Sequence, residues 1–307
     1  MVKYYSNFNV KKKHRGSIIL IGNFDGLHLG HQKLFRLAQL YKKKYNLKIG
    51  VINFDPMPKM FFNKNLKNFR LSNINQKIKL LNKYRVDFII TKKFDKKFSK
   101  IKSINFIKEI LSKKLNSKFI FVSNNFKFGN KREGNVNLLL RNEKNFDYKV
   151  IKPKPLTKRK KIVSSTLIRN LLEKGFLQKA NKLLDRKWEI QGIVKKGRQV
   201  GKKIGFPTCN IDIQDYVLAK PGVYAVRVLR KNHTKYLKGI ANLGYRPTFN
   251  QKKILLEVHL FNFSGNLYNK LLSVQFLKFI REEKKFKNVN QLQSQIKKDL
   301  NIAKRTK

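Results

Sequence analysis

Four short apolar runs recur through the first half of this chain, "SIILIGNF" (17–24), "LKIGVINF" (47–54), "VDFIITKKF" (86–94) and "KFIFVSNNF" (118–126). A strand that is apolar on successive residues has no wet face, so it must be buried on both sides, as in a parallel sheet covered by helices. The segments between the runs supply that cover. "HQKLFRLAQLYKKKY" (31–45) sets Leu34, Leu37, Ala38 and Tyr41 at helical spacing, and "QKIKLLNKY" (76–84) and "NFIKEILSKKL" (105–115) also read as helices. Such alternation predicts an α/β domain whose ligands lie outside the carboxyl ends of its strands.

The pattern changes after "SSTLIRNLLEKGFLQKANKLLD" (164–185), a helical stretch interrupted by Gly175. From there "KWEIQGIVKKG" (187–197), "GVYAVRVLR" (222–230), "KYLKGIANLG" (235–244), "ILLEVHLFNF" (254–263) and "LLSVQFLKFI" (271–280) are strand-like. "NVNQLQSQIKKDL" (288–300) closes as a helix. This half predicts an antiparallel β-barrel or sandwich with a terminal helix. The 307 residues suit two domains at roughly 150 residues each, and the boundary is expected at Asp185–Arg186, giving 1–185 and 186–307. No apolar run reaches the roughly 18 residues of a membrane span, and no leader-like apolar segment follows the basic start. The single cysteine, Cys209, excludes an intramolecular disulfide. A soluble protein of a reducing cytoplasm, without a membrane partner, is expected.

A formal charge of +55 invites a nucleic-acid reading. The lysines, however, are spread over nearly every segment beside abundant Asn, Ile and Phe, all residues of adenine- and thymine-rich codons. Charges farther apart than about 8 Å are screened from one another at physiological salt. A diffuse excess is a poorer footprint than a stripe, so a basic nucleic-acid-binding protein stands as the alternative, not the first reading. The segment "KPKPLTKRKK" (152–161) is expected to be a mobile loop.

Two constellations carry chemistry. In "IGNFDGLHLGHQKLF" (21–35), a strand ends in a turn framed by Gly22, Gly26 and Gly30, and a helix begins. Free backbone N–H groups of Asn23, Phe24 and their neighbours, with the positive end of the helix, suit an anion. His28 and His31, three apart, share a face of the first turn and can both donate to one phosphate. The plainer reading is a pair of surface histidines. In "VSSTLIR" (163–169), Ser164, Ser165 and Thr166 start a helix and Arg169 lies one turn in, near enough to fold over the same anion. The plainer reading there is an N-cap and a surface arginine. The second constellation, "GRQVGKKIGFPTCNID" (197–212), lacks the glycine spacing and following helix of a P-loop. In "LEVHL" (256–260), Glu257 alternates with Leu256 and Val258 and so points away from that apolar set.

Together, "GNFDGLHLGH", "FDPMP" (54–58), "NNFKFG" (124–129) and "SSTLIR" resemble the adenylyltransferase half of bacterial bifunctional riboflavin kinase/FAD synthetases. "GFPTCN", "PGVYAV" (221–226), "NLGYRPTF" (242–249), "LEVHL" and "IREEKKF" (280–286) are similar to the riboflavin kinase half. The resemblance implies a Rossmann-like nucleotidyltransferase domain followed by a riboflavin kinase barrel, using ATP and Mg²⁺ and making FMN and FAD. It implies ATP on the Gly22–His31 turn, with His28, His31 and Arg169 on its α-phosphate, and flavin stacking by Phe54 and Phe128 beside Asn125. In the barrel it implies Gly205, Thr208 and Asn210 at the nucleotide, Thr208 on Mg²⁺, Glu257 as base, and Phe206, Arg246 and Arg281 around the flavin or nucleotide. This chain departs from the family pattern at Ser123, Asn124, Asn125, Cys209 and Asn269.

Overall fold

The structure, a computed structural model, describes residues 2–197, 201, 204–213, 215–247 and 252–306, apart from the side chains of 246, 247, 252 and 253. The chain forms two compact units. One comprises Met1–Lys67 and Ile74–Ser164, the other Asn68–Asn73 and Ser165–Lys307.

The first unit is built on a six-stranded parallel sheet of order β1-β4-β3-β2-β5-β8. Its strands are β1 (Lys3–Tyr5), β2 (Ile18–Ile21), β3 (Ile49–Asp55), β4 (Phe88–Lys93), β5 (Phe119–Phe121) and β8 (Lys149–Ile151). The continuous apolar runs bury both faces, as their composition requires. Ile18, Leu20, Ile49, Val51, Ile89 and Phe121 line one face, against Leu34, Phe35 and Ala38 of α1 (Leu29–Tyr45). Ile19, Ile21, Ile52, Phe88, Ile90 and Ile120 line the other, under Phe106, Ile107, Ile110 and Leu111 of a π-helical stretch, Phe106–Lys114. With both faces closed, truncating Ile52 to Ala would leave a cavity costing about 2–5 kcal/mol.

Smaller elements complete the unit: α2 (Pro58–Phe62), α3 (Ile74–Asn82), α4 (Lys96–Ser99), α5 (Ser103–Asn105), α6 (Val136–Arg141) and the hairpin β6 (Lys127–Phe128)–β7 (Gly134–Asn135). Two further strands, β9 (Thr157–Lys158) and β10 (Lys161–Ile162), correct the expectation of a loop at 152–161. They pair antiparallel across Arg159 and Lys160, both at positive φ (49° and 59°), as a two-residue turn matching strand twist demands.

The second unit is a closed barrel rather than a sandwich, in the order β11-β12-β15-β14-β13-β16. The strands are β11 (Glu189–Lys195), β12 (Cys209–Asp212), β13 (Gly222–Arg230), β14 (Leu237–Pro247), β15 (Lys252–Leu260) and β16 (Leu271–Arg281). Trp188, Tyr224 and Phe276 are buried together, the Phe276 ring lying 4.9 Å from Trp188 and 5.1 Å from Tyr224. The terminal helix α9 (Val289–Arg305) is capped by Asn288, which accepts from Gln291 N–H at 2.9 Å. Helices α7 (Ser165–Glu173) and α8 (Leu177–Leu184), broken at Gly175 (φ 78°), group with this unit. Asn181 of α8 donates to Phe276 O and accepts from Trp188 N–H. Residues 68–73 join the same unit through backbone groups: Val217 N–H donates to Arg70 O, and Trp188 Nε1–H to Leu71 O. Asn269 adopts φ 60°, in the left-handed region where Asn is enriched over most other residues.

Candidate active sites

In the first unit, the turn from β2 into α1 runs through positive φ at Phe24 (46°), Gly26 (75°) and Leu27 (37°). Two of these, Phe24 and Leu27, are bulky residues in a region that costs them local strain. The turn delivers His28 to the N-cap of α1, where its Nδ1 accepts from His31 N–H at 3.4 Å. The two imidazoles stack at 3.7 Å with planes 19° apart, and Phe24 meets His31 edge-on at 5.3 Å. His28 is only 4 % exposed, which removes the plainer reading of a surface histidine. Burial, reinforced by His28 and Lys77, holds the pKa of His31 well below its ordinary value, so this ring is neutral. A side chain at Gly30 would press on the His28 ring and on Val163 O, both about 3.1 Å or less from its Cβ position. Within this unit, therefore, the residue preceding Ser164 lies against the start of α1.

Ser164 is half-buried. Ser165, Thr166 and Arg169 belong to the second unit, on α7. Arg169 is buried there, not the surface arginine of the plainer reading. Its guanidinium lies 3.6 Å above the Phe69 ring, and its Nε–H donates to Phe69 O at 2.7 Å. Phe54 is partly buried, 5.9 Å from Phe94 and 5.5 Å from Phe98. Phe128 is 8 % exposed, stacked on Phe126 within the core. Asn125 is exposed beyond β5 and accepts from Ser123 Oγ–H at 2.9 Å.

In the barrel, Phe206, Thr208, Asn210, Glu257 and Arg281 meet around one cavity of about 440 Å³. The register explains the grouping. Glu257 on β15 pairs with Asn210 on β12 and with Asn242 on β14, and paired residues share a face. Leu256 and Val258, at 0 % and 1 % exposure, take the opposite face, as the alternation predicts. With its amide turned so that both ends are paired, Asn210 donates from its nitrogen to Glu257 Oε1 at 3.1 Å and accepts through its oxygen from Gly197 N–H at 3.3 Å. A Cβ at Gly197 would collide with that amide, so only glycine leaves Asn210 its seat. Asn242 Nδ2–H donates to Glu283 Oε1 at 3.2 Å. Thr208 is exposed at the cavity mouth, after Gly205 at φ 85°. Arg281 is fixed by Asp299, its Nε–H and Nη2–H reaching Asp299 Oδ2 at 2.9 and 2.7 Å. Cys209 pairs with Val258 on the opposite strand face, and burial pushes its thiol up to about 11, so it is inert packing at neutral pH. The side chain of Arg246 lies outside the described residues.

Sequence reasoning missed Asn53, which is wholly buried, and Lys77, a lysine at 1 % exposure that bears on His31. It also missed Asn242, Asp299 and the exposed Phe62, whose ring lies 5.7 Å from Phe94. The signal for Asn53 was available: it is the one polar residue inside the apolar run "VINF".

A parallel sheet with paired imidazoles at a helix start, and a closed barrel holding a carboxylate among amides, suit a two-part nucleotide-dependent transferase. The FAD synthetase family model matches residues 10–167 and the riboflavin kinase model residues 184–307. The chain is 42% identical over 302 residues to the bifunctional riboflavin kinase/FMN adenylyltransferase of Buchnera aphidicola from Schizaphis graminum, covering 97% of this chain and 96% of the relative. It is 39% identical to the enzyme of that name from Haemophilus influenzae (96% of each chain) and 30% identical to that of Bacillus subtilis (94% and 92%). A solved structure described as a macrolide-efflux protein from Streptococcus pneumoniae superposes with a TM-score of 0.85 at 28% identity, over 99% of both chains. The chain belongs to the bifunctional riboflavin kinase/FMN adenylyltransferase family. Among the described residues no helix is long and apolar enough to cross a membrane.

Proposed function

We infer that this chain phosphorylates riboflavin to FMN and then adenylylates FMN to FAD, spending ATP in each step. The kinase reading draws most support from one observation, the placing of Glu257 between Asn210 and Asn242 in the cavity that Thr208 borders. There Glu257 takes the proton of riboflavin's 5′-hydroxyl as that oxygen attacks the γ-phosphorus of ATP and ADP departs. Asn210 holds the carboxylate in place, and Arg281, itself held by Asp299, faces the phosphates or flavin together with Phe206 and Gly205.

Mg²⁺ fits this cavity. It prefers oxygen donors and keeps most of its shell for water and substrate phosphate. Thr208 Oγ1 supplies such an oxygen in the cavity that Glu257 also lines, and no cluster of three His, Cys, Asp or Glu occurs among the described residues. Thr208 would hold the ion, which when bound neutralises phosphate charge.

In the other activity, assigned to residues 1–185, the nucleophile is the phosphate of FMN, already ionised. No base is needed; the site must position two anions and spread charge as FMN's oxygen attacks the α-phosphorus and pyrophosphate leaves. Gly22, Asn23, Phe24 and Gly26 offer backbone approach, His28 and His31 donate to the α-phosphate and Ser164 is a further donor, while Ser165, Thr166 and Arg169 are the nucleotide-binding candidates that the family motif places on α7. Phe54, Phe128 and Asn125 form the flavin side. Small molecules, not nucleic acid, are the partners, in the cytoplasm. Incubating the chain with riboflavin, ATP and Mg²⁺ and separating the flavins tests the reading: FMN appears first and FAD follows. An absence of FMN removes the kinase, and FMN without FAD removes the adenylyltransferase.

A further inference from the structure

The sheet face beneath α1 changes character at its carboxyl edge. Leu20, Val51, Ile89 and Phe121 form an apolar row across β2, β3, β4 and β5, each at 0 % exposure and joined by direct register partners. Two residues further along, at positions of the same parity, stand Gly22, Asn53, Thr91 and Ser123. Asn53 pairs in register with Thr91, and Gly22 N–H donates to Ile52 O at 3.1 Å, keeping β2 in step with β3. The row thus turns polar where α1 begins, and at Gly22 the Phe24 ring lies 3.2 Å from where a Cβ would stand.

Asn53 is 0 % exposed, yet neither its Oδ1 nor its Nδ2 has a hydrogen-bond partner. Two further buried atoms of this strand edge and helix start, Asn23 Oδ1 and His31 Nδ1, are likewise without partners. More than nine in ten buried polar groups in folded proteins are satisfied, so a wholly buried amide with both ends idle asks for a ligand. The chemistry of that ligand follows from the atoms. Nδ2 needs an acceptor and the two amide oxygens need donors. A bare phosphate offers acceptors only, and a flavin ring face offers neither. A hydroxylated 5′-phosphate arm offers both, and its phosphate end suits the positive N-terminus of the 17-residue α1.

We propose that Asn53 is a substrate-binding residue of the first unit, its Nδ2–H donating to a phosphate oxygen and its Oδ1 accepting from a hydroxyl of the adjoining sugar or polyol. This deepens the adenylyl-transfer reading and rests on it. The ribose phosphate of ATP and the ribityl phosphate of FMN both carry such an arm, and steady-state kinetics separate them. Asn53→Leu, which keeps the branched outline but has no polar atom, and Asn53→Thr, close in volume and bearing one hydroxyl, are compared with the parent chain in FAD formation from supplied FMN. Riboflavin phosphorylation and the thermal melting point are measured alongside.

The expected result is a loss of ten- to hundredfold in kcat/KM for FAD formation in Asn53→Leu and a smaller loss in Asn53→Thr. Riboflavin phosphorylation stays unchanged, and the melting point of Asn53→Thr is equal or higher, because an idle buried amide has been removed. A raised KM for FMN assigns the arm to the flavin, and a raised KM for ATP to the nucleotide. Parental kinetics in Asn53→Leu, or a lowered melting point in Asn53→Thr marking a structural amide, would overturn the proposal while leaving the adenylyl-transfer reading intact. A parent chain that forms no FAD from FMN would overturn both.

Discussion

The two units meet the same kind of substrate, a nucleoside triphosphate, with opposite equipment. The sheet unit offers stacked imidazoles, a helix start and glycine-opened backbone, and its His31 is kept neutral by burial and by the neighbouring His28 and Lys77. The barrel offers a carboxylate steadied by an amide, with an exposed threonine at the cavity mouth. The difference follows the protonation of the attacking oxygen. A hydroxyl must lose a proton as it attacks, so the barrel needs a base. A phosphate is ionised beforehand, so the sheet unit needs only donors and placement.

Removing the base is the sharpest way to break this contrast. Glu257→Ala should lower riboflavin phosphorylation by about 10²–10⁴-fold, the range a general base supplies, while FAD formation from supplied FMN is untouched; separate rate assays for the two steps check it. In the opposite direction, His28→Ala should slow FAD formation by roughly 10²–10³-fold, the scale of losing one preorganised donor, and spare phosphorylation. If either variant lost both activities equally, the separation of roles would be wrong.

Smaller effects sharpen the picture. Gly197→Ala displaces the Asn210 amide from its seat, and a misplaced carboxylate should cost riboflavin phosphorylation on the order of tenfold, up to a hundredfold, with KM for riboflavin little changed. The smallest effect is on stability. The folded His31 resists a proton that the unfolded chain accepts near pH 6.5. Stability is therefore full above that pH and falls as the solution is acidified toward the lower folded pKa. His14, whose pKa burial also lowers, acts with the same sign. His31→Gln should consequently flatten, without abolishing, the loss of melting temperature between pH 7 and 5, read by thermal denaturation across that range. An unchanged slope would place the proton elsewhere.

Much of this architecture is legible in the chain itself, for identifiable reasons. The runs at 47–54 and 86–94 mark β3 and β4 because strands covered on both faces must be apolar throughout. The stretch 222–230 coincides with β13, and the Glu257 alternation places its carboxylate correctly on the cavity side. What sequence could not announce rests on backbone or on context. The edge strands β1 and β8 are three residues each, too short for a period to emerge. Closure of the barrel depends on β12, four residues whose pairing with β11 and β15 has no side-chain signature. The grouping of residues 68–73 with the second unit is carried by carbonyls of Phe69, Arg70 and Leu71, which any residue type possesses. The burial of His28 was hidden because a histidine at an N-cap reads the same whether solvent or protein surrounds it.

The central claim, two independent phosphate-handling sites in one chain, meets its most direct test in a mixing experiment. Glu257→Ala and His28→Ala proteins, each supplied with riboflavin, ATP and Mg²⁺, are assayed for FAD alone and combined. The account predicts almost no FAD from either variant alone and restored FAD from the mixture, since FMN released by one chain reaches the intact site of the other. A mixture as barren as its components, with both proteins folded, would contradict it.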